Sequence, residues 1–512
     1  LHDEEVARAG LTRADVCSLG GQHDLSMKSL EDMVVKYKDK DSLVCEEALI
    51  GMARVCERTK QFSLVRAAFD RLIGDYPGAE DSRRKWAEQG TTVLRERVDK
   101  EQKPTINRLL AGKKVVEVSS LAGGINAWKA QDGPYLITKP LVVQSGATLR
   151  LEAGTEVRFG VLGGLRIEGG FEAVGTPDQP VRMVPLTDDP TRDWWSGIEF
   201  AEGQPRADHR LAHCLIKGAA IGIRARGGRL QLDDCTLDRC GKATIEVSGQ
   251  AQLVMTRCTV TSGYRVGVEC GSGAVLQMTN CQITSLTTHG IVLRKLGGDS
   301  YARETRITRC GGDGIFARGP CSVTIEACEI LENGGSGVRS LEGASPTILN
   351  TGVRDNAAEG IRLEDRWAGS LHGNTVSGNG GAGVIAKLRC NGDIVDNRVH
   401  NNGQAGLSLS LDCAPVLTGN QFLANKGPGL VLLNSRPAAL RDNQFVGNEG
   451  PALRNEGASD VQADHNWWGV ADEKKIAALI EDRRADARWG QVVFRPWLDE
   501  PPGKAARTLP AK

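Results

Sequence analysis

A repeat of 23 residues constrains this chain more than any other feature of its sequence. Asparagine recurs in the fragments GNTV, DNRV, GNQF, DNQF and HNWW, at positions 374, 397, 420, 443 and 466. Going upstream, this first column continues through Thr351, Cys328, Thr305, Cys281, Cys258, Cys235 and Cys214, with one step of 24 residues and one of 21. Internal periodicity decides the architecture before local propensity does, so this region is interpreted as one repeat array.

Further columns run in phase with the first and predict short strands. Two residues after it stand apolar residues such as Val260, Ile283, Ile307, Ile330, Val353, Val376 and Val399. Nine residues after it stand glycines, each followed by an apolar residue, as at Gly290, Gly314, Gly337, Gly360 and Gly383. Each repeat therefore predicts three short strands and no helix-length segment. Such a strand can pair only with its equivalent in the next repeat, about 4.8 Å away, which predicts a parallel β-solenoid.

The repeats NTVSGNGGAGV, NRVHNNGQAGL and NQFLANKGPGL resemble those of the right-handed parallel β-helix proteins of the pectate-lyase-like superfamily. The resemblance covers roughly residues 205–468 and implies a mainly β, right-handed parallel β-helix. That superfamily includes lyases, hydrolases, epimerases, adhesins and inert scaffolds. The resemblance therefore implies the fold and leaves the activity open.

The ends of the chain differ from the array. Residues 1–105 show helical spacing and resemble a tetratricopeptide-type helix pair at Ala53, Phe69 and Pro77, with Val65 where a small residue is usual. We predict a small α-helical domain there, with a further helix over about 81–98. Residues 106–132 are interpreted as a linker or N-terminal cap, 133–468 as the β-helix, and 469–512 as a C-terminal cap and tail. An open solenoid end exposes unpaired strand edges, so a cap is expected.

A second asparagine column supports an architectural role for these amides. It contains Asn333, Asn356, Asn379, Asn402, Asn425 and Asn448, again 23 residues apart. Asparagine tolerates left-handed backbone and can bond both its own turn and the amide in the next coil. We therefore interpret this column as a structural ladder rather than a sugar site.

One set of outward positions carries cations and is the candidate binding stripe. Two or four residues after the repeat glycine stand Arg294, Arg318, Arg339, Arg362 and Lys387, with Phe316 expected to be exposed among them. Cations aligned about 5 Å apart on successive coils would suit a polyanion or an acidic partner surface. The competing interpretation is an ordinary solvated face, which is what most charged columns are.

Catalytic residues are not assigned from the sequence. Asp233 and Asp234 in QLDDC, with His289 in THG, resemble the DDC and HG elements of polygalacturonase-type hydrolases, but they lie more than two coils apart. A lyase or epimerase would need a cation and a base. No cofactor or metal is predicted; calcium is the alternative left open, but no motif supports it. Calcium would need an acidic cluster, and the nearest candidate, Asp188, Asp189 and Asp193, is better explained as a solvated loop.

Composition limits the possible partners. Lys plus Arg equals Asp plus Glu at 64 each, so no net field favours nucleic acid, and no apolar run of about 18 residues predicts a membrane span. Cys390 and Cys413, one coil apart, are the best candidates for a disulfide.

We expect a non-catalytic extracytoplasmic scaffold or binding protein, periplasmic or at the cell surface. Its partner would be a protein, docked through the N-terminal helices or a β-helix face, or a cell-envelope glycan such as an acidic polysaccharide. It could serve as a subunit of a larger assembly. The alternative is a polysaccharide lyase or epimerase acting on a uronate polymer.

Overall fold

The computed structural model describes residues 22–37, 42–58, 115–187, 195–202 and 208–502, together with isolated positions between 10 and 110. The chain divides into two compact units. The first contains Leu1–Arg224 and Cys235–Thr244, and the second contains Ala225–Asp234 and Ile245–Lys512. Each unit is described by itself.

The first unit begins with two described α-helices, α1 (His23–Tyr37) and α2 (Ser42–Arg58). Their apolar faces share one hydrophobic core, in which Leu30 and Leu49 are buried and to which the solenoid turn contributes Val161 and Leu162. Apolar residues at helical spacing explain this packing, since such spacing places them on one face. The tetratricopeptide likeness is not confirmed. Pro77 and all but three residues of the predicted helix over 81–98 lie outside the described residues.

The rest of the described chain is a parallel β-solenoid of about 15 coils, so the predicted mainly β fold is confirmed. Its strands form three sheets, here called A, B and C. Sheet A contains Val116–Glu117, Tyr135–Ile137, Glu156–Phe159, Val181–Pro185, Cys214–Lys217, Thr236–Asp238, Thr259–Thr261, Gln282–Thr284, Arg306–Thr308, Glu329–Leu331, Gly352–Arg354, Thr375–Ser377, Arg398–His400, Gln421–Leu423 and Gln444–Val446.

Sheet B contains Gly124–Trp128, Ala147–Leu151, Gly170–Val174, Asp208–Ala212, Arg229–Asp233, Gln252–Thr256, Val275–Thr279, Tyr301–Arg303, Thr324–Glu326, Thr347–Leu349, Ser370–His372, Asp393–Val395, Val416–Thr418 and Ala439–Arg441. Sheet C contains Pro140–Val143, Gly164–Ile167, Ile198–Phe200, Ile221–Ala225, Ala243–Val247, Val266–Cys270, Ile291–Arg294, Ile315–Arg318, Val338–Leu341, Ile361–Glu364, Val384–Lys387, Leu407–Ser410, Leu430–Leu433, Leu453–Asn455 and Ile480–Glu481. A short 3-10 helix covers Ala130–Asp132, and Val461–Gln462 pairs with Val492–Val493 in a separate ribbon.

Equivalent residues stack on each other within the second unit. Val260 pairs with Ile283 in sheet A, and Met255 pairs with Met278 in sheet B. These residues point inward and are buried, while their neighbours along each strand point outward. The 23-residue period of the sequence is thus the length of one coil.

The first column of the repeat is a hydrogen-bonded stack as well as a packed one. The Cys258 backbone N–H donates to the Cys281 thiol sulfur at 3.4 Å, and the Cys281 N–H donates to the Thr305 hydroxyl at 3.3 Å. Further along, the Thr351 N–H donates to the Asn374 side-chain oxygen at 2.9 Å. The thiol, hydroxyl and amide side chains therefore have the same role, because each accepts a hydrogen bond from a buried backbone N–H that water cannot reach.

The second asparagine column forms a continuous ladder of buried amides. Asn356 Oδ1 accepts from the backbone N–H of Asn333 at 3.1 Å and from its Nδ2 at 2.9 Å. Asn356 Nδ2 donates onward to Asn379 Oδ1 at 2.9 Å and to the Ile330 carbonyl at 3.2 Å. The same pattern continues from Asn379 to Asn448.

Left-handed backbone occurs next to the ladder asparagines. The left-handed residue is the one before each of them, such as Asp355 at φ 57°, Asn401 at φ 55° and Ala424 at φ 50°. The turn therefore ends just before the asparagine. This frees the asparagine to point its amide inward, where the next coil can reach it.

The second unit ends in a short helix and a buried carboxylate. Helix α3 (Glu473–Ala478) is capped by Asp472, whose side chain accepts from the Lys475 N–H at 2.9 Å. Asp482 is fully buried and accepts from the Val492 N–H at 2.9 Å and from Arg484. Residues 503–512 of the predicted tail lie outside the described residues.

Candidate functional site

The six residues of the candidate stripe all lie on the outward face of sheet C, in two columns. Phe316, Arg339 and Arg362 are register partners in the first column. Arg294 and Arg318 are register partners in the second. That second column continues through Leu341 and Glu364 to Lys387. The cations therefore do not form the single continuous row expected from the sequence, because the offsets of two and four residues belong to different positions of the strand.

Most of these cations have a carboxylate partner. Arg294 pairs with Glu269 at 2.8 Å and Arg318 pairs with Glu342 at 2.7 Å. Arg362 lies between two glutamates, at 3.2 Å from Glu359 and 2.6 Å from Glu364. The remaining cation of the second column, Lys387, is the register partner of Glu364. Paired cations present little net charge to a ligand, and exposed pairs of this kind contribute at most about 1 kcal/mol to stability.

Arg339 differs from the other arginines of the stripe. Among the described residues it forms no ion pair, and its Nε is buried with no hydrogen-bond partner. Its guanidinium carbon lies 5.8 Å from the centroid of the Phe316 ring. A cation over an aromatic face is stabilised by the ring quadrupole, but this contact leaves the Nε–H donor without a hydrogen-bond partner.

His289 also packs against Phe316. The two rings are stacked with centroids 5.2 Å apart and planes 21° apart. Phe316 is half-buried beside this imidazole and the Arg339 guanidinium, so the expectation that it would be exposed is wrong. Together, His289, Phe316 and Arg339 form one cluster, here called the Phe316 platform.

The backbone of Asp313 fixes the imidazole of His289. His289 Nδ1 accepts the Asp313 backbone N–H at 3.0 Å, which places the ring hydrogen on Nε2. Burial lowers the pKa of His289; the nearby Asp313 carboxylate raises it, and the positive charges of Arg339 and Arg294 lower it further. The net direction is downward, so the imidazole is neutral at pH 7 and its Nε2–H is a hydrogen-bond donor.

The Asp313 carboxylate belongs to a hydrogen-bond network that spans four coils, from His289 to Glu359. Asp313 Oδ1 accepts the Ser336 N–H at 2.7 Å, and the Ser336 hydroxyl donates to Glu359 at 2.9 Å. Sequence reasoning missed the network, although a signal exists. The position before the repeat glycine is polar in four successive coils, at His289, Asp313, Ser336 and Glu359, and becomes Ala382, Ala405 and Pro428 in the next three.

Other candidate sites receive less support. Asp234 pairs with Arg257 at 2.7 Å, which accounts for the DDC element as part of a turn. Asp188, Asp189 and Asp193 lie outside the described residues. Within the ranges that the structure describes, no group of three or more His, Cys, Asp or Glu side chains is placed to hold a metal ion, and no helix is long and apolar enough to cross a bilayer.

The cysteines are all free thiols in the structure. The Cys390 N–H donates to the Cys413 sulfur at 3.3 Å, as in the first column of the repeat. Burial raises the pKa of the Cys270 thiol to about 12, which suppresses its thiolate. These thiols serve packing and backbone hydrogen bonding.

The family follows from the repeat and the coil together. The family model described as "Right handed beta helix region" matches residues 196–307 and 313–467. The chain belongs to this right-handed β-helix family. No curated protein sequence matches the chain.

Three solved structures are similar to parts of this chain. One is a double mutant of the periplasmic alginate epimerase AlgG, 14% identical, which covers 60% of this chain and 85% of its own with a TM-score of 0.49. Another is the Azotobacter vinelandii mannuronan C-5 epimerase AlgE4 A-module, 14% identical, with 69% and 91% covered and a TM-score of 0.38. A third is the Dettilon tailspike protein, 14% identical, with 60% and 59% covered and a TM-score of 0.28.

Proposed function

We propose that this protein is a glycan-binding β-helix, and that the Phe316 platform binds an acidic sugar residue of a cell-envelope polysaccharide. The observation that carries the proposal is the unpaired Arg339 guanidinium. Because no carboxylate among the described residues pairs with this guanidinium, its positive charge is left for a sugar carboxylate. A fork of parallel N–H donors is the geometry that binds a carboxylate through two oxygens.

The neighbours of Arg339 suit the rest of a sugar ring. The Phe316 ring is apolar and half-exposed, so the C–H groups of a pyranose can pack against its accessible part. His289 adds an Nε2–H donor for a hydroxyl group. Sites for small ligands combine an apolar surface with a few placed polar groups in this way.

A uronate lyase or epimerase is the second candidate function, and one observation favours it. An imidazole, a carboxylate and a cation lie together on neighbouring coils at His289, Asp313 and Arg339. Such reactions require a base to remove the proton next to the sugar carboxylate. Because His289 Nδ1 accepts the Asp313 N–H and its Nε2 carries the hydrogen, the imidazole is arranged to donate. Binding is therefore the function that this geometry supports better.

The proposal also implies where the protein is located in the cell and what it could bind besides the glycan. Cell-envelope glycans lie outside the cytoplasm, so a glycan-binding role would place the protein in the periplasm or at the cell surface. The N-terminal helices would then remain available to dock a partner protein in a larger assembly.

Calorimetric titration with acidic and neutral polysaccharides tests the proposal. Arg339→Met should weaken binding of an acidic glycan by about tenfold to a hundredfold, the equivalent of one charged hydrogen-bonded contact. Arg318→Met is the matched control, because Arg318 is an exposed arginine on the same sheet that already pairs with Glu342. Equal losses in the two variants would refute a site at Arg339. Unsaturated sugar ends or solvent deuterium at the sugar carbon would instead establish the enzymatic candidate.

A further inference from the structure

We infer that this site selects a glycan in which single acidic residues are separated by neutral sugars, and discriminates against a continuous polyuronate. The inference rests on the proposed function and names its ligand class more closely. It follows from the charges that surround Arg339 along the direction of the solenoid axis.

Charges of both signs are interspersed around the platform. The cations are Arg294, Lys295, Arg318, Arg339, Arg362 and Lys387, and the carboxylates are Glu269, Glu342, Glu359, Glu364 and the buried Asp313. His289 adds no charge at pH 7, because its pKa is lowered. A polyanion gains affinity from a field of one sign, and this face does not provide one.

The free positive charge is concentrated at one point of the first column. One coil beyond Arg339 along the sheet lies Arg362, which is already bonded by Glu359 and Glu364. Two coils back from Arg339 lies Val292, which is apolar and buried. Neighbouring coils are about 4.8 Å apart. If a polyuronate lay along this column with one carboxylate at Arg339, its neighbouring carboxylates would therefore meet glutamates on one side and an apolar surface on the other.

The two glutamates beside Arg362 would act against a second uronate and in favour of a neutral sugar. Their side chains are partly accessible, at 18% for Glu359 and 20% for Glu364. A carboxylate oxygen can accept hydrogen bonds from sugar hydroxyls, but it repels another carboxylate at the same distance. The subsite after Arg339 therefore fits a neutral hexose better than an acidic one.

Two oligosaccharides of equal length test the inference: a homopolyuronate, and an oligosaccharide with one central uronate between neutral hexoses. We expect the second to bind at least about tenfold more tightly, and the logarithm of its affinity to fall with the logarithm of salt with a slope of about one or less, as for a single ionic contact. Glu364→Gln should raise the affinity for the homopolyuronate several-fold, because Arg362 and Lys387 lose a competing carboxylate. Glu342→Gln, which removes the partner of Arg318 in the other column, is the matched control and should leave the preference unchanged.

The outcomes separate the two claims. If the homopolyuronate binds more tightly with a steep salt dependence, the selectivity is refuted while glycan binding stands. If both ligands bind equally in wild type and in Glu364→Gln, the role of the glutamates is refuted. If neither binds, and Arg339→Met changes nothing, the proposed function fails together with the inference.

Discussion

Replacing Asn402 by alanine should destabilise the second unit strongly, although the change removes only a small polar group. Asn402 Oδ1 accepts from the backbone N–H of Asn379 at 3.2 Å and from its Nδ2 at 3.0 Å. Asn402 Nδ2 donates to Asn425 Oδ1 at 3.0 Å and to the Val376 carbonyl at 3.1 Å. Alanine removes all four of these contacts at a site that is fully buried.

The expected size of the effect follows from the hydrogen bonds that each partner of Asn402 keeps in the variant. Asn379 Nδ2 keeps the Val353 carbonyl, and Asn425 Oδ1 keeps the Asn402 N–H. The Asn379 backbone N–H keeps no partner, and a buried orphan donor costs about 1–3 kcal/mol. Adding about 1 kcal/mol for each of the other three lost bonds gives a total of roughly 4–6 kcal/mol.

The measurement is unfolding in guanidinium followed by circular dichroism, together with hydrogen exchange at the Asn379 amide. Asn401→Gly is the matched control, because Asn401 is exposed and left-handed, so glycine preserves its backbone. We expect the control to shift the unfolding free energy by less than about 0.5 kcal/mol. If Asn402→Ala costs no more than the control, and the Asn379 amide stays protected, the ladder does not stabilise the solenoid as argued.

Three further predictions concern other parts of the molecule. Burial lowers the pKa of His209 from 6.5 to about 4, so native stability should fall by up to about 3 kcal/mol as the pH decreases from 6.5 to 4; His209→Phe should remove that loss in pH-dependent thermal melts. Deleting residues 1–105 should leave the β signature in circular dichroism but expose Val161 and Leu162, so the truncated chain should aggregate in light scattering unless both are replaced by threonine. Cys390 and Cys413 should stay reduced and resist a thiol reagent until denaturant is added; a linked peptide in non-reducing mass spectrometry would refute this.

The sequence was most informative where the structure repeats. A buried position in a coil must suit the same position in the next coil, so Asn356 and Asn379 appear in the sequence at the spacing at which they bond. The left-handed residues were harder to place, because Asp355, Asn401 and Ala424 share a conformation without sharing a side chain. Periodicity reports what is stacked inside, and it reports little about backbone angles at the turns.

The candidate site could be predicted only in part, for a physical reason. Arg339 and Arg362 are alike in sequence position, and only the side chains around them distinguish a free guanidinium from a neutralised one. Those partners come from a turn, as Glu359 does, or from the same strand, as Glu364 does. The link from His289 to Asp313 likewise depends on how one turn lies over the next. Outward side chains are not forced to match between coils, so the period carries no information about them.

The asparagine ladder has a consequence for how such a chain can change its length. From Asn333 to Asn448 every coil presents the same acceptor to the coil before it and the same donor to the coil after it. Interior coils are therefore interchangeable modules, and duplication or loss of 23 residues would leave each junction chemically intact. The Phe316 platform has no such freedom, because it is assembled from coils that differ from one another. Gene-level slippage can lengthen or shorten the solenoid downstream of residue 364 while its binding face is inherited unaltered.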